Sequence, residues 1–541
     1  MKLQILSIFL FINIFPSALL SQTPDWTWVR SGHGNFTEMG TAIGTDASNN
    51  LYVCGISNSS SATLGGQYLP GGFGGLDFFY GKFDPTGNLI WTKRFGGLYN
   101  DNVTDIKVLA NGNFFITGTF QSASIDFGFP FIINNQNTGD EDIFIAYVDS
   151  SGDVIWANSI GGTGGELSTG IASDATGNVY LTGMIGNGYC VFGNDTLYGI
   201  ATDGFIAKYD INGNLVMLKQ LTGNGNQTVG KIRLSDNGSI ILSGSTTVDM
   251  IYDSTIVISG PSDFLASINS SGNISWITPI TNPDASPGCI TVDSFDNIYM
   301  YAQFQDSVKI DNTTLYTSQF SRETYIAKFD DQGSLTWLKS IANWSIALNN
   351  SCVCDMNGNN FITGIFEDTI SIQGNLIGHH QYMKDFFVAR LDTGGNVIWI
   401  KDTGSNKDDY SRYITLDEYG VPVITGGYES MSIYLGAYNL LNTLSGVSDL
   451  FVGKLGFGTP VIENFIADKI LIFPNPSSRN FRIWSEEAVQ SIIIVDELGR
   501  EIFIDYPHKN NLEIILENAG LYNVILITAK GRFLYRQAVI D

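Results

Sequence analysis

Apolar and polar positions alternate along most of this chain, and one short pattern keeps returning: an aromatic, any residue, a small residue, any residue, an apolar residue. Copies stand at Phe79/Gly81/Phe83, Phe144/Ala146/Val148, Phe205/Ala207/Tyr209, Phe264/Ala266/Ile268, Tyr325/Ala327/Phe329, Phe387/Ala389/Leu391 and Phe451/Gly453/Leu455. Positions i, i+2 and i+4 of an extended segment share one face, so each copy predicts a strand with an apolar stripe. The middle residue is always Gly or Ala, which lets a backbone or a large side chain approach closely. Turn signals follow the first six copies: Pro85-Thr86-Gly87-Asn88, Ser151-Gly152-Asp153, Asn212-Gly213-Asn214, Ser271-Gly272-Asn273, Gln332-Gly333-Ser334 and Gly394-Gly395-Asn396. Gly there tolerates positive φ and closes a hairpin. Ten positions after each small residue comes a bulky one: Trp91, Trp156, Met217, Trp276, Trp337 and Trp399. A second strand then ends in a small residue, over residues 50–55, 113–118, 178–183, 239–244, 297–302, 360–364 and 421–426.

The spacing predicts the architecture. From bulky residue to terminal small residue the distance is 27 for Trp91→Gly118, Trp156→Gly183, Met217→Gly244, Trp337→Gly364 and Trp399→Gly426, and 26 for Trp276→Ala302. Counting back equally from Gly55 reaches Trp28, which has no aromatic-small-apolar strand before it. The copy at 451–455 conversely has no bulky residue after it, so one unit is split between the two ends of the array. That is expected of a ring closed by joining its first and last segments. Six steps from Gly55 to Gly426 give a repeat of about 62 residues, enough for one four-stranded blade. The expectation is an all-β fold: a seven-bladed β-propeller over residues 22–458 with a split closing blade. A linear β-solenoid is the alternative, but it would want capping repeats in place of a split unit.

The unit Asp203-Gly204-Phe205-Ile206-Ala207-Lys208-Tyr209-Asp210, followed by Gly213-Asn214, resembles the SBBP (seven-bladed β-propeller) repeat of exported bacterial proteins. Asp174-Ala175-Thr176-Gly177-Asn178-Val179-Tyr180-Leu181-Thr182-Gly183 is its best second half. The resemblance covers about residues 25–458; it implies fold and export and is silent on activity.

Beyond a linker at 459–468 the repeat stops. Residues 469–541 hold apolar strands at 470–473, 491–495, 501–504, 512–516, 521–528 and 533–540, which predict a small Ig-like β-sandwich. Ile472-Phe473-Pro474-Asn475-Pro476, Val495-Asp496-Glu497-Leu498-Gly499-Arg500, Ala519-Gly520-Leu521-Tyr522 and a basic, apolar end at 532–540 resemble the type A C-terminal sorting domain of the type IX secretion system of Gram-negative bacteria. Asp541 departs from the usual basic finish. The resemblance implies secretion machinery of that type as a partner, transfer across the outer membrane, and release or attachment to surface lipopolysaccharide after the domain is cut off. An ordinary Ig-like accessory domain is the plainer reading.

Residues 1–21 fit that route. Lys2, an apolar run at 3–15 and small residues near Ser21 read as a secretory signal peptide, and about 13 apolar positions are short for the ~20 a membrane span needs. No later segment is long and apolar enough for a transmembrane anchor. The expected location is secreted or outer cell surface.

Charge narrows the partners. Lys+Arg 28 against Asp+Glu 53 gives a formal net charge of −25, which argues against nucleic acid, whose binders need a basic surface. The final domain is almost balanced, so the acidity belongs to the repeats. Five cysteines (Cys54, Cys190, Cys289, Cys352, Cys354) form no disulfide framework or zinc motif and are read as buried free thiols.

Candidate chemistry is sparse. No H-E-x-x-H, G-x-S-x-G or P-loop pattern occurs, so no catalytic residue and no cofactor are assigned. The Gly161–Gly165 stretch recurs in register with other turns and is read as a turn. His379-His380 lack further ligands. Asp84, Asp149, Asp210, Asp330 and Asp392 precede hairpin turns, where side-chain bonds to the turn backbone account for them without calcium. One constellation has ligand chemistry: ten residues past the bulky position lie Glu38, Asp101, Glu166, Gln227, Ser286, Ala347 and Asp409. The four acids, Glu38, Asp101, Glu166 and Asp409, would share one radius near the axial channel, where they could bind calcium or act on a sugar as an acid/base pair. The plainer expectation is that each caps its own loop. Two functions follow: a non-enzymatic binding or adhesion scaffold for an extracellular protein or glycan, or an exported hydrolase or lyase using carboxylates on one propeller face. Few repeat-breaking acids or histidines exist to supply the second.

Overall fold

The computed structural model describes residues 23–456, apart from 73, 283–285, 318–321, 344–346, 368, 379–382, 443 and 445, together with 470–473, 480–495, 501–505, 509–516, 520–528 and 531–539. The signal segment, the linker, His379-His380 and much of the three sorting-domain motifs lie outside the described residues. Regular structure among the described residues is all β, and no helix is long and apolar enough to cross a membrane. The chain divides into two compact units, one ending at Gly456 and the other starting at Phe457.

The first unit is a seven-bladed β-propeller. Its innermost strands are Glu38–Thr45, Asp101–Val108, Glu166–Ser173, Gln227–Leu234, Ser286–Val292, Ala347–Cys354 and Asp409–Leu416, which open blades 1 to 7. Each blade adds a second, a third and an outermost strand, all antiparallel, as in Leu51–Ser57, Asp77–Phe83 and Leu89–Phe95 of blade 1. In blade 7 the strand beside Asp449–Gly456 is Asp25–Gly32, with Ser31 opposite Phe451 and Trp28 opposite Lys454.

The register explains the repeat. The terminal small residue of each second strand stands opposite the aromatic of the third: Gly55 faces Phe79, Gly118 faces Phe144, Gly183 faces Phe205 and Gly426 faces Phe451. A Cβ on Gly55 or Gly183 would overlap the ring opposite. The bulky residue has a different duty. At six of the seven junctions the hairpin glycine of the following blade lies against it, as Gly87 on Trp28, Gly152 on Trp91, Gly213 on Trp156 and Gly333 on Trp276. The Trp156 indole N–H donates to the Ile211 carbonyl at 2.9 Å, and Trp276 repeats that bond to Asp331 at 2.9 Å.

The apolar core is correspondingly not inside the blades but between them. Seven buried clusters each straddle two neighbours, among them Tyr52 with Phe114 (blades 1 and 2), Phe115 with Leu181 (2 and 3) and Trp28 and Leu450 with Leu51 (7 and 1). Four hairpins inserted between second and third strands reach back to extend the outermost strand of the preceding blade; Gly188–Phe192, for example, joins Val154–Gly162. All five cysteines are free, and Cys54, Cys190, Cys289 and Cys352 are buried. The pre-turn aspartates bond as their position suggests: Asp210 Oδ1 accepts from the Asn212 and Asn214 N–H groups, each at 2.9 Å.

In the second unit a 16-residue strand, Asn480–Val495, is the hub. Ile470–Phe473 and Lys509–Ile515 pair with its first half, Glu501–Asp505 and Gly520–Thr528 with its second, and Gly531–Val539 flanks Gly520–Thr528.

Candidate functional site

The acids of the predicted ring each open an innermost strand, and their seven positions are equivalent in the blades. Glu38, Asp101, Glu166 and Asp409 are buried, and none of them lines the axial cavity. Three turn into their own blade. Asp101 accepts from the Gly97, Gln121 and Ser122 N–H groups and from the Ser122 hydroxyl at 2.7 Å. Asp409 repeats this with the Glu429 and Ser430 N–H groups and the Ser430 hydroxyl at 2.8 Å. Glu38 accepts from the Ser57 hydroxyl at 2.8 Å. The structure therefore does not bring the four to one point.

It brings each against a different acid. The third strand of every blade has a buried carboxylate as its first or second residue: Asp77, Asp142, Asp203, Asp263, Glu323, Asp385 and Asp449. The ring residue of the next blade lies beside it, because its N–H donates to the backbone just before that strand, as Asp101 does to Leu76 at 2.7 Å and Glu38 to Ser448 at 2.7 Å. Four junctions thus hold two carboxyls each: Asp77 with Asp101, Asp142 with Glu166, Asp385 with Asp409, and Asp449 with Glu38. Burial, then the neighbouring acid, pushes Glu166 up to about 8 and Asp449 to about 7; burial chiefly lifts Asp409 to about 7 and Asp142 to about 6. One carboxyl of such a pair can keep its proton near neutrality. The sequence carried this signal unread: in six copies an acid stands two residues before the aromatic, and in blade 4 Ser262 takes that place with Asp263 next to it.

The open site lies on the axis. A cavity of about 810 Å³ is lined by all seven innermost strands near their ends, and by the turns that follow in blades 3 and 4. Six residues beyond each ring position stand Gly44, Lys107, Ala172, Arg233, Val292, Val353 and Thr415, and every one lines this cavity. Two of the seven are cations and none is an acid. Lys231 on the strand of Arg233 adds a third positive charge, on which Arg233 acts. Lys107 is exposed to solvent, yet the desolvating protein around the cavity and then Arg233 push its ammonium below its ordinary value; burial also lowers Lys231. Asp105 is the carboxylate that acts on all three, and it is already engaged: it accepts from the Tyr413 hydroxyl at 2.8 Å and from the Ile106 and Ile171 N–H groups.

At the same end, the turns after the innermost strands of blades 5, 6 and 7 expose Phe295 (72% exposed), Met356 (80%) and Tyr419 (63%). These three side chains do not line the cavity, whose cations come from blades 2 and 4. Among the described residues no group of three or more His, Cys, Asp or Glu is placed to hold a metal ion.

No family model matches the chain. Over 463 residues it is 22% identical to an uncharacterized WD repeat-containing protein of Acanthamoeba polyphaga mimivirus, covering 70% of this chain and 32% of that protein. Over 352 residues it is 26% identical to the regulatory protein FlaEY of Caulobacter vibrioides, covering 59% and 35%. The chain thus spans about a third of the length of these curated relatives. Among solved structures it is similar to a puromycin hydrolase mutant (10% identity, TM-score 0.36, 76% of this chain and 60% of that one) and to the cobalt-substituted Synechocystis apocarotenoid oxygenase (9%, 0.38, 82% and 96%).

Proposed function

We propose that this chain is an exported β-propeller acting at the cell surface or in the medium as a non-enzymatic binding scaffold for a protein or glycan. The observation that carries the reading is the axial cavity, lined by Lys107 and Arg233, with exposed aromatic and thioether side chains on turns at the same end of the propeller. Stacking surfaces beside a polar, preformed cavity are what a recognition site needs. The enzymatic reading needs carboxylates free to meet a substrate, whereas Asp101 and Asp409 are buried and bonded within their blades.

The remaining parts of the reading rest on sequence. The repeat is taken as the SBBP type, the strand Asp25–Gly32 as the piece that closes the ring, and the second unit as an Ig-like sorting domain of the type IX secretion system that directs the propeller outward after signal-peptide export. No resident cofactor is assigned, and calcium is left to titration. The decisive experiment is incubation of the purified chain on a glycan array with product analysis. Retention of particular glycans without cleavage is expected; release of shortened products would replace the scaffold by the hydrolase or lyase.

A further inference from the structure

We propose that the axial cavity is a binding site for an anionic saccharide, a sugar ring carrying a carboxylate or a sulfate. The proposal rests on the scaffold reading and names its ligand. Lys107 and Arg233 line the cavity, and Lys231 stands two residues before Arg233. Among the described residues, none of the three ammonium and guanidinium groups forms an ion pair. Arg233 donates to the neighbouring Ile232 carbonyl at 2.8 Å, and Lys231 reaches the Thr169 carbonyl at 3.5 Å. In a chain of formal net charge −25, Lys107 and Arg233 on the lining, with Lys231 beside Arg233, gather three cations at one chamber, and the lining carries two acids, Asp174 and Asp236. Like charges held together in a partly desolvated space repel, and an oxyanion placed between them removes that repulsion while accepting charge-assisted hydrogen bonds.

The other groups facing the chamber do not cancel this charge. Asp105 is held by Tyr413, Ile106 and Ile171. Asp174 at the rim accepts from Thr176 and Asn178 within its own turn and lies 3.7 Å from Lys208. Asp236 is exposed at the opening. Burial keeps the Tyr413 phenol and the Cys352 thiol well above their ordinary values, so both stay neutral, and Cys289 lies beside Cys352.

The rest of the lining selects a hydroxylated ligand. Of the hydroxyl and amide side chains on the walls, Thr45, Ser235 and Thr291 bond to Leu416, Asn237 and Cys354, and Ser173, Thr415 and the Asn237 amide nitrogen are left to meet a hydroxylated ligand. The volume of about 810 Å³ lies within the range of small-ligand pockets and exceeds what a bare inorganic ion needs. Phe295, Met356 and Tyr419, on turns at the same end of the propeller, are exposed apolar surface for the faces of further sugar rings.

The test is isothermal titration calorimetry on the full chain with glucuronate, glucose 6-sulfate, glucose and inorganic sulfate. Both acidic sugars are expected to bind at least tenfold more tightly than glucose or sulfate. Their affinity should fall as salt is added and as pH rises through the depressed lysine range, since the bound anion favours the protonated lysines. Arg233→Gln and Lys107→Gln should each weaken the acidic sugars at least tenfold with an unchanged melting temperature. Arg233→Lys, which keeps the charge, should recover part of the affinity. Equal binding of glucose, equal binding of inorganic sulfate, no heat with either acidic sugar, or wild-type affinity in both Gln variants would each overturn the assignment. Retention of neutral glycans on the array by Arg233→Gln would sink this ligand and leave the scaffold standing; silence in both experiments removes both.

Discussion

The junction between blades 1 and 2 and the junction between blades 2 and 3 are built on the same repeat positions, and they solve one electrostatic problem differently. At the first, Asp77 is paired with Arg94 at 2.8 Å, both side chains fully buried, and Asp101 accepts four hydrogen bonds. Arg94 also donates to the Ser59 and Ser57 carbonyls at 2.7 and 2.8 Å. At the second, Ser159 takes the place of Arg94: both stand opposite the motif aromatic, Phe144 and Phe79 respectively. Among the described residues no cation pairs with Asp142. Neither oxygen of Glu166 has a hydrogen-bond partner among the described residues, although the Gly162 and Gly164 N–H groups lie close enough to offset part of the burial penalty. Gly161 makes room for the Asp142 carboxyl, which a Cβ there would overlap. The difference teaches that a buried acid at this position is tolerated by charge pairing in one blade and by keeping a proton in the next.

Three substitutions would break or sharpen that contrast. Arg94→Ala should have the largest effect, because it strands Asp77 in a dry junction; a loss of ~3–5 kcal/mol in chemical denaturation is expected. A loss below 1 kcal/mol would show that solvent reaches the junction. Glu166→Gln should act in the opposite direction. The folded protein holds the Glu166 proton up to about pH 8, whereas the unfolded chain releases it near pH ~4.3, so this group erodes stability as pH rises between those limits. The variant should therefore match the wild type near pH 4 and exceed it at pH 8 by on the order of 1–3 kcal/mol. Identical pH profiles of the melting temperature would mean that Glu166 is ionised in the fold. The smallest effect belongs to Ser159→Gln. In blade 3 the equivalent Gln220 donates to Asp203 at 2.9 Å, so a glutamine at 159 should supply Asp142 with its missing donor. A gain of about 1 kcal/mol and a lower Asp142 titration by carbon-13 NMR are expected.

The seven-fold pattern was legible in the sequence because it is written in residue size. Gly55 and Gly183 must be small to admit Phe79 and Phe205, and Trp156 must be large to carry Gly213 of the next blade. The place of the ring acids in the register was equally readable, since a repeat fixes register. The direction of their side chains was not. Each innermost strand shifts register soon after it begins; in blades 2 and 4 one extra residue is inserted between Val103 and Asp105 and between Val229 and Ile232. One inserted residue exchanges the faces of everything beyond it. Alternation counted from Asp101 would place Lys107 on the same side, whereas the bulge turns Asp101 into the blade and leaves Lys107 on the cavity. The cations Lys107 and Arg233 escaped notice for a second reason: they break the repeat at a position whose other occupants are Gly, Ala, Val and Thr. Asp77 and its equivalents were hidden by the opposite fault, being so regular that they merged with the turn-forming polar residues before each strand.

The pairing of Asp25–Gly32 with Asp449–Gly456 also sets an order of events in time. If this strand closes the ring as proposed, the first strand of the propeller to leave the ribosome has to wait for the last one, some 420 residues later, before it finds its place. Until then a tryptophan-bearing segment is left without its neighbour, and the free edge of the final sheet is a template on which another molecule could pair. Completion of the fold therefore depends on synthesis of the array through Gly456, and a chain truncated earlier would retain an unfinished, adhesive border.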